Sequence, residues 1–404
     1  MTIKSISTNI GKALLINAFF MFIAIVISVI EGFDSGFTPL AISFSVTFIT
    51  GMFPFIFVKS EPSATLQSGF MTIVLSWLLS FVFGMLPYVL WGGEFTLINA
   101  WFESVSGYTT TGATILTDIE SLPKSILFWR SSTHFIGGLG VIIFLLMVLP
   151  DSSAVKLRLT HLELSSLSKE GYRFRSGTTA RVMVGVYCAL TTCLFLLLWA
   201  AGMSPFDAVN HAFSTVSTGG FSTRNMSIMH YDSVIIDIIL TVFMILSSMH
   251  FGTLFAIAVK RSFKPLGNSV TRYYLSIIAV ISIIIMLSLK LQGGYESWGK
   301  ALLDSTFQTA SYISTTGFGQ ADNALWPLLA NTLLIFASFH CGCSGSTTGG
   351  IKADRAYISI KAIYGEFQKR LHPNSMFRTR INGRILDEET ISSVFLYIVL
   401  YLFT

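Results

Sequence analysis

Three segments of the sequence repeat one arrangement of oxygen-bearing residues and glycine. Each copy opens with Asn or Asp, has Ser at its eighth position and reaches Gly thirteen positions after its start. The copies run from Asn99 to Gly112, from Asp207 to Gly220 and from Asp304 to Gly317. Backbone carbonyls at a Gly-containing turn, with Thr hydroxyls beside them, can replace the hydration shell of a cation. The arrangement therefore predicts three ion-binding segments of one kind.

A short helix has to position each segment. Asn99, Asp207 and Asp304 are expected as N-caps, because their side chains can accept hydrogen bonds from free N–H groups of the first turn. About ten residues follow before the Thr/Gly stretch, or about 15 Å of helix, which is half of a bilayer core of roughly 30 Å. We interpret each copy as a pore helix followed by a selectivity-filter strand. The predicted ion-binding residues are Thr110, Thr111, Gly112, Thr218, Gly219, Gly220, Thr315, Thr316 and Gly317.

The same Gly and Thr residues could instead serve as small residues that pack one membrane helix against another. That alternative does not require a capped half-helix ahead of each Gly. The filter interpretation is therefore favoured.

The composition places the chain in a membrane. The sequence has 404 residues, of which 52% are hydrophobic and 12% are charged, and its mean hydropathy is +0.68. A soluble protein of this length carries about twice that share of charge. Apolar runs long enough to span a bilayer lie at about 13–31, 36–57, 68–91, 125–149, 182–202, 231–258, 271–290 and 325–348, and a further run starts near Ile391.

The basic residues predict an orientation. Lys and Arg cluster in the stretches 156–181, 260–272 and 361–384, which share one side of the membrane if the apolar runs alternate. Short basic loops stay in the cytoplasm, so the N-terminus is expected there and the pore helices enter from outside. The net charge of +5 is then a signal of topology, and nucleic-acid binding is not expected.

Four ordered motifs make the sequence similar to the Trk/Ktr/HKT superfamily of potassium transporters. They are Thr-Thr-Thr-Gly112-Ala-Thr, Ser-Thr-Gly-Gly220-Phe-Ser-Thr, Ser-Thr-Thr-Gly317-Phe-Gly and Cys-Gly-Cys-Ser-Gly-Ser-Thr-Thr-Gly-Gly-Ile-Lys352. With its extra N-terminal hairpin, the chain most resembles the bacterial Trk-type membrane subunit. The resemblance implies an all-α polytopic fold of helix–pore loop–helix units around one K⁺ pathway. It also implies a homodimer in the bacterial inner membrane, acting as a symporter or channel-like transporter with cytosolic nucleotide-binding gating subunits as partners.

The resemblance further bears on the transported ion. Gly in every filter accompanies K⁺ selectivity in this superfamily, and the three filters of this chain all contain it. Apart from the transported K⁺ at the filters, no metal ion or cofactor is expected, and no set of catalytic residues indicates an enzyme. A Na⁺-permeable transporter and a non-conducting accessory subunit or fragment stay open as alternatives.

A stretch of Gly, Ser and Thr interrupts the apolar run after the third filter. In relatives the matching segment is a loop below the filter that obstructs the pathway, so we expect a gate here; close helix packing through small residues is the alternative. Lys352 and Arg355 follow, where they could set the field in the inner vestibule or reach lipid headgroups. The predicted gate residues are Gly342, Ser344, Gly345, Ser346, Thr347, Thr348, Gly349, Gly350 and Lys352.

These assignments divide the chain into six parts. The last 16 residues are expected to begin a fourth unit that is cut short, or to form an interfacial helix. The predicted parts are a transmembrane hairpin at 1–60, a first unit at 61–150, a cytoplasmic linker at 151–181, a second unit at 182–262, a third unit with an interrupted second helix at 263–365, and a linker with the start of a fourth unit at 366–404.

Each predicted pore helix carries a polar residue at one shared position. Glu103 lies inside the first pore helix, and Asn210 and Gln308 occupy the same place in the other two, so each unit carries a polar side chain that could brace its filter. The four cysteines lie in or beside apolar runs and do not predict disulfides.

Overall fold

The computed structural model describes residues 3–58, 66–147, 176–372, 379–382 and 384–403. These residues are mainly helical, which confirms the predicted all-α class. One short antiparallel hairpin joins the last two helices, with Arg380 paired to Ile385 and Ile381 paired to Arg384. Most of the expected linker at 151–181 lies outside the described residues.

The elements are numbered here in chain order. The helices are α1 (Ile3–Ile30), α2 (Phe37–Phe57), α3 (Leu66–Gly84), α4 (Leu86–Trp91), α5 (Leu97–Tyr108), α6 (Lys124–Met147), α7 (Ser176–Ala200), α8 (Pro205–Val216), α9 (Val234–Ser247), α10 (Phe251–Ala258), α11 (Ser269–Leu291), α12 (Trp298–Ile313), α13 (Leu328–His340), α14 (Ala353–Leu371) and α15 (Glu388–Phe403). The strands are β1 (Arg380–Ile381) and β2 (Arg384–Ile385), and short 3₁₀ helices lie at Ser227–Tyr231, Lys264–Gly267 and Asn323–Leu325.

Several helices have the length and apolarity of membrane spans. Among the described residues five such spans are found, at Ile6–Ile30, Phe37–Phe57, Gly69–Trp91, Arg181–Ala200 and Ser269–Leu291. A sixth results if α9 and α10 together form one span, although the chain bends by 111° between them. The multi-pass membrane character predicted from composition is thereby confirmed.

Two predicted runs differ from the helices observed. The run 231–258 is broken after Ser247, and α10 restarts behind His250, whose ring nitrogen accepts the N–H of Gly252 at 3.1 Å. The run 325–348 ends as a helix at His340, because Cys341 adopts a positive φ of 57° that a right-handed helix cannot continue. The expected interruption at 342–350 lies inside the non-helical stretch that follows.

The described residues divide into two compact units. The first contains α1 to α8, most of α9 and the strand Thr316–Gln320. In it α1 packs on α2, α3 and α6, while α6 also contacts α5, α7 and α8. The second contains the rest of the chain from Met244; in it α11 packs on α12, α13 and α14, and α14 contacts α15.

Asp34 fixes the turn between α1 and α2 to the start of α6. Its carboxylate accepts hydrogen bonds from the hydroxyl of Ser28, from the N–H of Gly36 at 3.1 Å, and from the N–H and hydroxyl of Ser125 at 3.2 and 2.7 Å. The group satisfies two free N–H groups and two hydroxyls in a half-buried site. The Asp34 side chain therefore adds a hydrogen-bonded attachment of the α1–α2 turn to α6, beside the packing of α1 on α6.

We expect Asp34→Ala to destabilise this attachment by about 2 kcal/mol, because hydrogen bonds to a charged group are lost and their donors are left unpaired. The measurement is the apparent Tm of the purified protein in detergent, which should fall by several degrees. Glu31→Gln is the matched control, since Glu31 forms an exposed ion pair with Lys124 at 2.9 Å and such pairs contribute little. Equal Tm values for the two variants would contradict this role of Asp34.

Candidate ion pathway

Each pore helix begins about one turn earlier than expected, or two turns earlier in the third. The predicted N-caps Asn99, Asp207 and Asp304 are wrong: α5 is capped by the side chain of Thr96 and α8 by that of Ser204. In α8 Ser204 Oγ accepts the N–H of Asp207 at 3.0 Å and donates to the Asp207 carboxylate at 2.9 Å. A Ser or Thr three positions before an Asp or Asn is the better cap signal.

The three pore helices end in one backbone geometry. The second residue after each helix end is a Thr in the left-handed region, with φ of 53° at Thr110, 58° at Thr218 and 57° at Thr315. Two positions later comes a left-handed Gly, with φ of 74° at Gly112, 89° at Gly220 and 80° at Gly317. A β-branched residue in this region costs of order 1–3 kcal/mol. The same strained conformation therefore recurs at each predicted filter.

Hydrogen bonds at the ends of α5 and α8 hold the left-handed residues Thr110 and Thr218 in place. Thr111 N–H donates to Ser106 O at 2.9 Å and Thr110 N–H to Gly107 O at 3.1 Å, the pairing of a Schellman motif. The second copy repeats it, with Gly219 N–H on Ser214 O at 2.8 Å and Thr218 N–H on Thr215 O at 3.1 Å. The Ser at the eighth position of the repeat thus supplies a backbone acceptor.

The carbonyls beyond these helix ends are left without protein donors. Within the described residues no donor bonds the backbone oxygens of Thr110, Thr111 and Gly112 in the first filter, or those of Thr218, Gly219 and Gly220 in the second. Thr218 and Gly219 are buried, where carbonyls almost always have a partner, whereas Thr111 is exposed and Thr110, Gly112 and Gly220 are half-buried. A consecutive set of unpaired oxygens at the negative end of a helix dipole suits a dehydrated cation.

The filter strands of the first unit lie directly against one another. A Cβ on Gly112 would come closer than 3.0 Å to the carbonyl oxygen of Gly219, and a Cβ on Gly220 equally close to that of Thr316. Both glycines are therefore required by their neighbours as well as by their φ angles. No described atom comes within 4 Å of the corresponding point on Gly317. The three strands are thus adjacent in chain order.

Buried carboxylates and amides brace the segment after each filter. Glu103 accepts the Thr114 hydroxyl at 3.0 Å and the N–H of Ile115 at 3.2 Å, and the Gln308 amide donates to Ala321 O at 3.3 Å. In the second copy Asn210 instead bonds its own helix at Phe206 O. The brace there is Asp207, which the sequence had suggested as an N-cap.

Asp207 holds its segment through two side chains. Its carboxylate accepts the Thr223 hydroxyl at 2.6 Å and Arg224 Nη2 at 2.8 Å.

Loops beyond the filters connect one copy to the next. Asn225 accepts the N–H of Ile119 at 2.6 Å and donates to the Asp118 carboxylate at 2.8 Å. Gly319, two residues after the third filter glycine, accepts the N–H groups of Ile228 and Met229 at 3.0 and 3.1 Å. The first filter is thereby attached to the second, and the second to the third.

One face of α6 contacts both of the first two filters, and the sequence analysis did not identify it. Thr133 and Gly137 of α6 pack against Gly107 and Tyr108 at the end of α5. His134 donates to or accepts from Ser214 at 3.0 Å, and its ring stacks on Phe221 at 4.0 Å. Polar and Gly residues spaced i, i+3, i+4 and i+7 inside an apolar run were the available signal.

The stretch expected to be a gate is folded against α9, α10 and α14 in the second unit. Cys343 N–H donates to Ser248 O at 2.8 Å and Phe251 N–H to Gly345 O at 3.1 Å. Each break thus supplies partners for backbone groups that the other break leaves free. A Cβ on Gly342 would lie 2.7 Å from Ser248 O, so this crossing admits only glycine.

The second half of the same stretch is tied to α14. Ser344 donates to the buried Asp354 carboxylate through its hydroxyl at 2.5 Å and its N–H at 3.2 Å. Lys352 Nζ donates to Thr348 O, and Gly349 N–H donates to the hydroxyl of Thr315 at 3.4 Å.

The second of the two basic residues expected near the gate lies against an aromatic ring. The Arg355 guanidinium lies 3.9 Å from the ring centre of Tyr397. Within the second unit, therefore, both predicted vestibule cations contact protein groups.

Comparison with known proteins identifies the family. The family model for the TrkH cation transport protein matches residues 40–404. The potassium uptake protein TrkH of Salmonella typhimurium is 35% identical over 301 residues, which cover 74% of this chain and 62% of that protein. TrkG of Escherichia coli is 34% identical over 313 residues, covering 76% of this chain and 64% of that protein. The chain thus spans about 62% of the length of the first of these curated relatives.

A solved structure agrees with this assignment. The crystal structure of the potassium transporter TrkH from Vibrio parahaemolyticus superimposes with a TM-score of 0.88 at 29% identity, covering 100% of this chain and 84% of that one. The resemblance predicted from the motifs is confirmed, and the chain belongs to the TrkH family of cation transport proteins.

Proposed function

We propose that the chain forms the ion-conducting part of a potassium uptake system in the bacterial inner membrane. The curated relatives are named as Trk system potassium uptake proteins. The observation that carries the proposal is the repeated left-handed Thr and Gly pair with unpaired carbonyls at Thr110 to Gly112 and Thr218 to Gly220. Because uptake carries one positive charge inward, the membrane potential contributes about 2.3 kcal/mol per 100 mV.

In this proposal the filter carbonyls take the place of water around K⁺. The strained Thr at each pore-helix end turns the chain sharply, and the left-handed Gly two positions later keeps the strand narrow enough to lie beside its neighbour. Thr315, Thr316 and Gly317 contribute the third strand. The negative ends of the half-helices favour a cation over an anion at this place. Gly in each filter supports K⁺ as the preferred ion.

The gate is assigned to residues 342–350 together with Lys352. This stretch follows the third filter, and its bonds to Ser248, Phe251 and Asp354 hold it in one conformation. Thr315 links it to the filter sequence through Gly349. Lys352 adds a positive charge that opposes the passage of K⁺ while the loop stays in place. Opening then requires the loop to release these hydrogen bonds.

Orientation and partners are assigned from the basic residues and from the family resemblance. The basic stretches place the N-terminus and the linkers in the cytoplasm. By family resemblance the protein is a homodimer, and cytosolic nucleotide-binding subunits act on the gate. Symport with a second ion is part of the same assignment.

We expect Gly112→Ser and Gly220→Ser to lower K⁺ over Na⁺ discrimination by about tenfold or more, because each new Cβ overlaps a neighbouring filter carbonyl. The measurement is Rb⁺ uptake in a bacterium that lacks its own K⁺ uptake systems, in competition with Na⁺. Gly92→Ser is the matched control. Gly92 has a similar φ of 84° but an empty surrounding, and it lies outside the filters.

Discrimination that stays at the wild-type value in both filter variants, at normal membrane levels, would refute the filter assignment. A loss of the same size in Gly92→Ser would attribute the effect to backbone strain.

We expect Ser344→Ala and Asp354→Asn each to raise K⁺ flux several-fold without any cytosolic partner, because both weaken the bond that holds the loop to α14. The purified protein in liposomes provides the measurement, and selectivity should stay unchanged. Ser338→Ala is the control, since the Ser338 hydroxyl donates only to Ile335 O of its own helix. Lower flux, or a loss of selectivity, would show that the stretch is a packing element.

A further inference from the structure

A buried arginine on α6 lies between the first two filters. Arg130 is 2% exposed and its partner Glu103 is fully buried, and Arg130 Nε donates to Glu103 Oε1 at 2.5 Å. A charged pair taken out of water is costly unless its geometry and its remaining hydrogen bonds are nearly complete. Ionisable groups inside membrane segments are therefore rare and usually functional. The helices around the filters contain such a pair, Arg130 and Glu103.

Arg130 reaches the second filter with the other end of its guanidinium. Nη1 donates to the backbone oxygen of Ser222 at 3.2 Å, two residues after the filter glycine Gly220. The guanidinium also lies 3.6 Å from the ring centre of Phe221. A hydrogen bond and a cation–π contact thus fix the position of the second filter strand relative to α6.

Glu103 reaches the first filter from the other side of the ion pair. Its carboxylate accepts the hydroxyl of Thr114 and the N–H of Ile115, two and three residues after Gly112. The sequence of contacts is therefore first filter, Glu103, Arg130, second filter. A single path of side-chain hydrogen bonds joins the exits of both filter strands, and every group in it lies in the first compact unit.

A related contact is found after the second filter, at a neighbouring position of the repeat. Asp237 follows Gly220 by 17 residues, whereas Arg130 follows Gly112 by 18. Asp237 is 4% exposed and accepts the amide of Gln320 at 3.0 Å, three residues after Gly317. In both cases a buried ionisable side chain on the helix after one filter holds the exit of the next filter. The two contacts differ in charge and in bonding partner, but both join a helix to the segment beyond the following filter.

We propose that Arg130 is a positioning residue for ion selectivity, which sets the register of the first two filter strands through Glu103 and Ser222. Both the number and the position of the carbonyl oxygens around an ion affect discrimination, and binding sites depend on supporting side chains to hold such groups to within about 0.5 Å. Arg130 supplies this constraint because its planar fork bonds two acceptors in fixed directions and stacks on a ring. A lysine side chain has the same charge, but its ammonium group is not planar and cannot donate two hydrogen bonds in the fixed directions of a guanidinium. The inference rests on the proposed function, since it concerns the selectivity of the same filters.

The test compares Arg130→Lys with the wild-type protein in a K⁺-uptake-deficient bacterium. We expect Arg130→Lys to reach the membrane at wild-type levels, and its discrimination of Rb⁺ against Na⁺ to fall by about tenfold. The KM for Rb⁺ should rise more than Vmax falls, because the sites change and the gate does not. Lys124→Gln is the matched control: it removes a cation from the same helix, but one that is half exposed and paired to Glu31, so discrimination should not change.

Arg130→Lys with wild-type discrimination and KM would overturn the inference. If Arg130→Lys fails to reach the membrane, the double variant Glu103→Gln with Arg130→Gln decides, because it leaves no unpaired buried charge. Reduced discrimination in the double variant supports the positioning role, and wild-type discrimination refutes it. A double variant that also fails to insert, while Lys124→Gln inserts normally, assigns the pair to folding and refutes a specific role in selectivity.

If the proposed function is wrong, the result is different: the wild-type protein itself shows no uptake of Rb⁺ or K⁺, and the inference is refuted with it.

A thermal-shift measurement on purified protein provides a second readout. K⁺ should raise the Tm of the wild type more than Na⁺ does, and this difference should disappear in Arg130→Lys; an unchanged difference would count against the positioning role.

Discussion

The structure depends on the cost of leaving backbone polar groups unpaired away from water. A helix that stops inside a bilayer exposes its last four carbonyls, and the strand that follows adds more. In this chain left-handed Thr residues follow the three pore-helix ends, and within the described residues the carbonyls of the first two copies have no protein donor. Such an arrangement is stable only if its surroundings fix it from several sides. The rest of the first unit supplies those constraints.

The constraints come from side chains and loops that act between repeats. One face of α6 contacts the ends of both α5 and α8, and Arg130 and Glu103 connect the segments beyond the first two filters. Loops outside the filters attach each copy to the next through Asn225 and Gly319. Each filter strand is thus held by its own pore helix and by the neighbouring copy. Backbone strain at three Thr residues is offset by this shared network.

The second unit solves a similar problem differently. Both α9 and α13 stop short of a full span, and the breaks exchange hydrogen bonds through Ser248, Cys343, Gly345 and Phe251. Two backbone hydrogen bonds thus join the breaks directly, from Cys343 N–H to Ser248 O and from Phe251 N–H to Gly345 O. In the proposed function, opening of the gate must release these bonds together with the bond from Ser344 to Asp354.

The sequence by itself determined the membrane class, the all-α fold, the family and the position of each Thr/Gly stretch, because apolar run length and a thrice-repeated spacing are local properties of the chain. The match to the TrkH family model confirms the family, which is a family of transport proteins and not of enzymes. The N-caps predicted from the sequence were wrong, because Thr96 and Ser204 cap the helices three residues before Asn99 and Asp207. Only the tertiary structure decided the rest. Arg130 meets Ser222 and Gly112 meets Gly219 across about 90 to 110 residues of chain, and no local pattern records which distant backbone a side chain or a glycine will face.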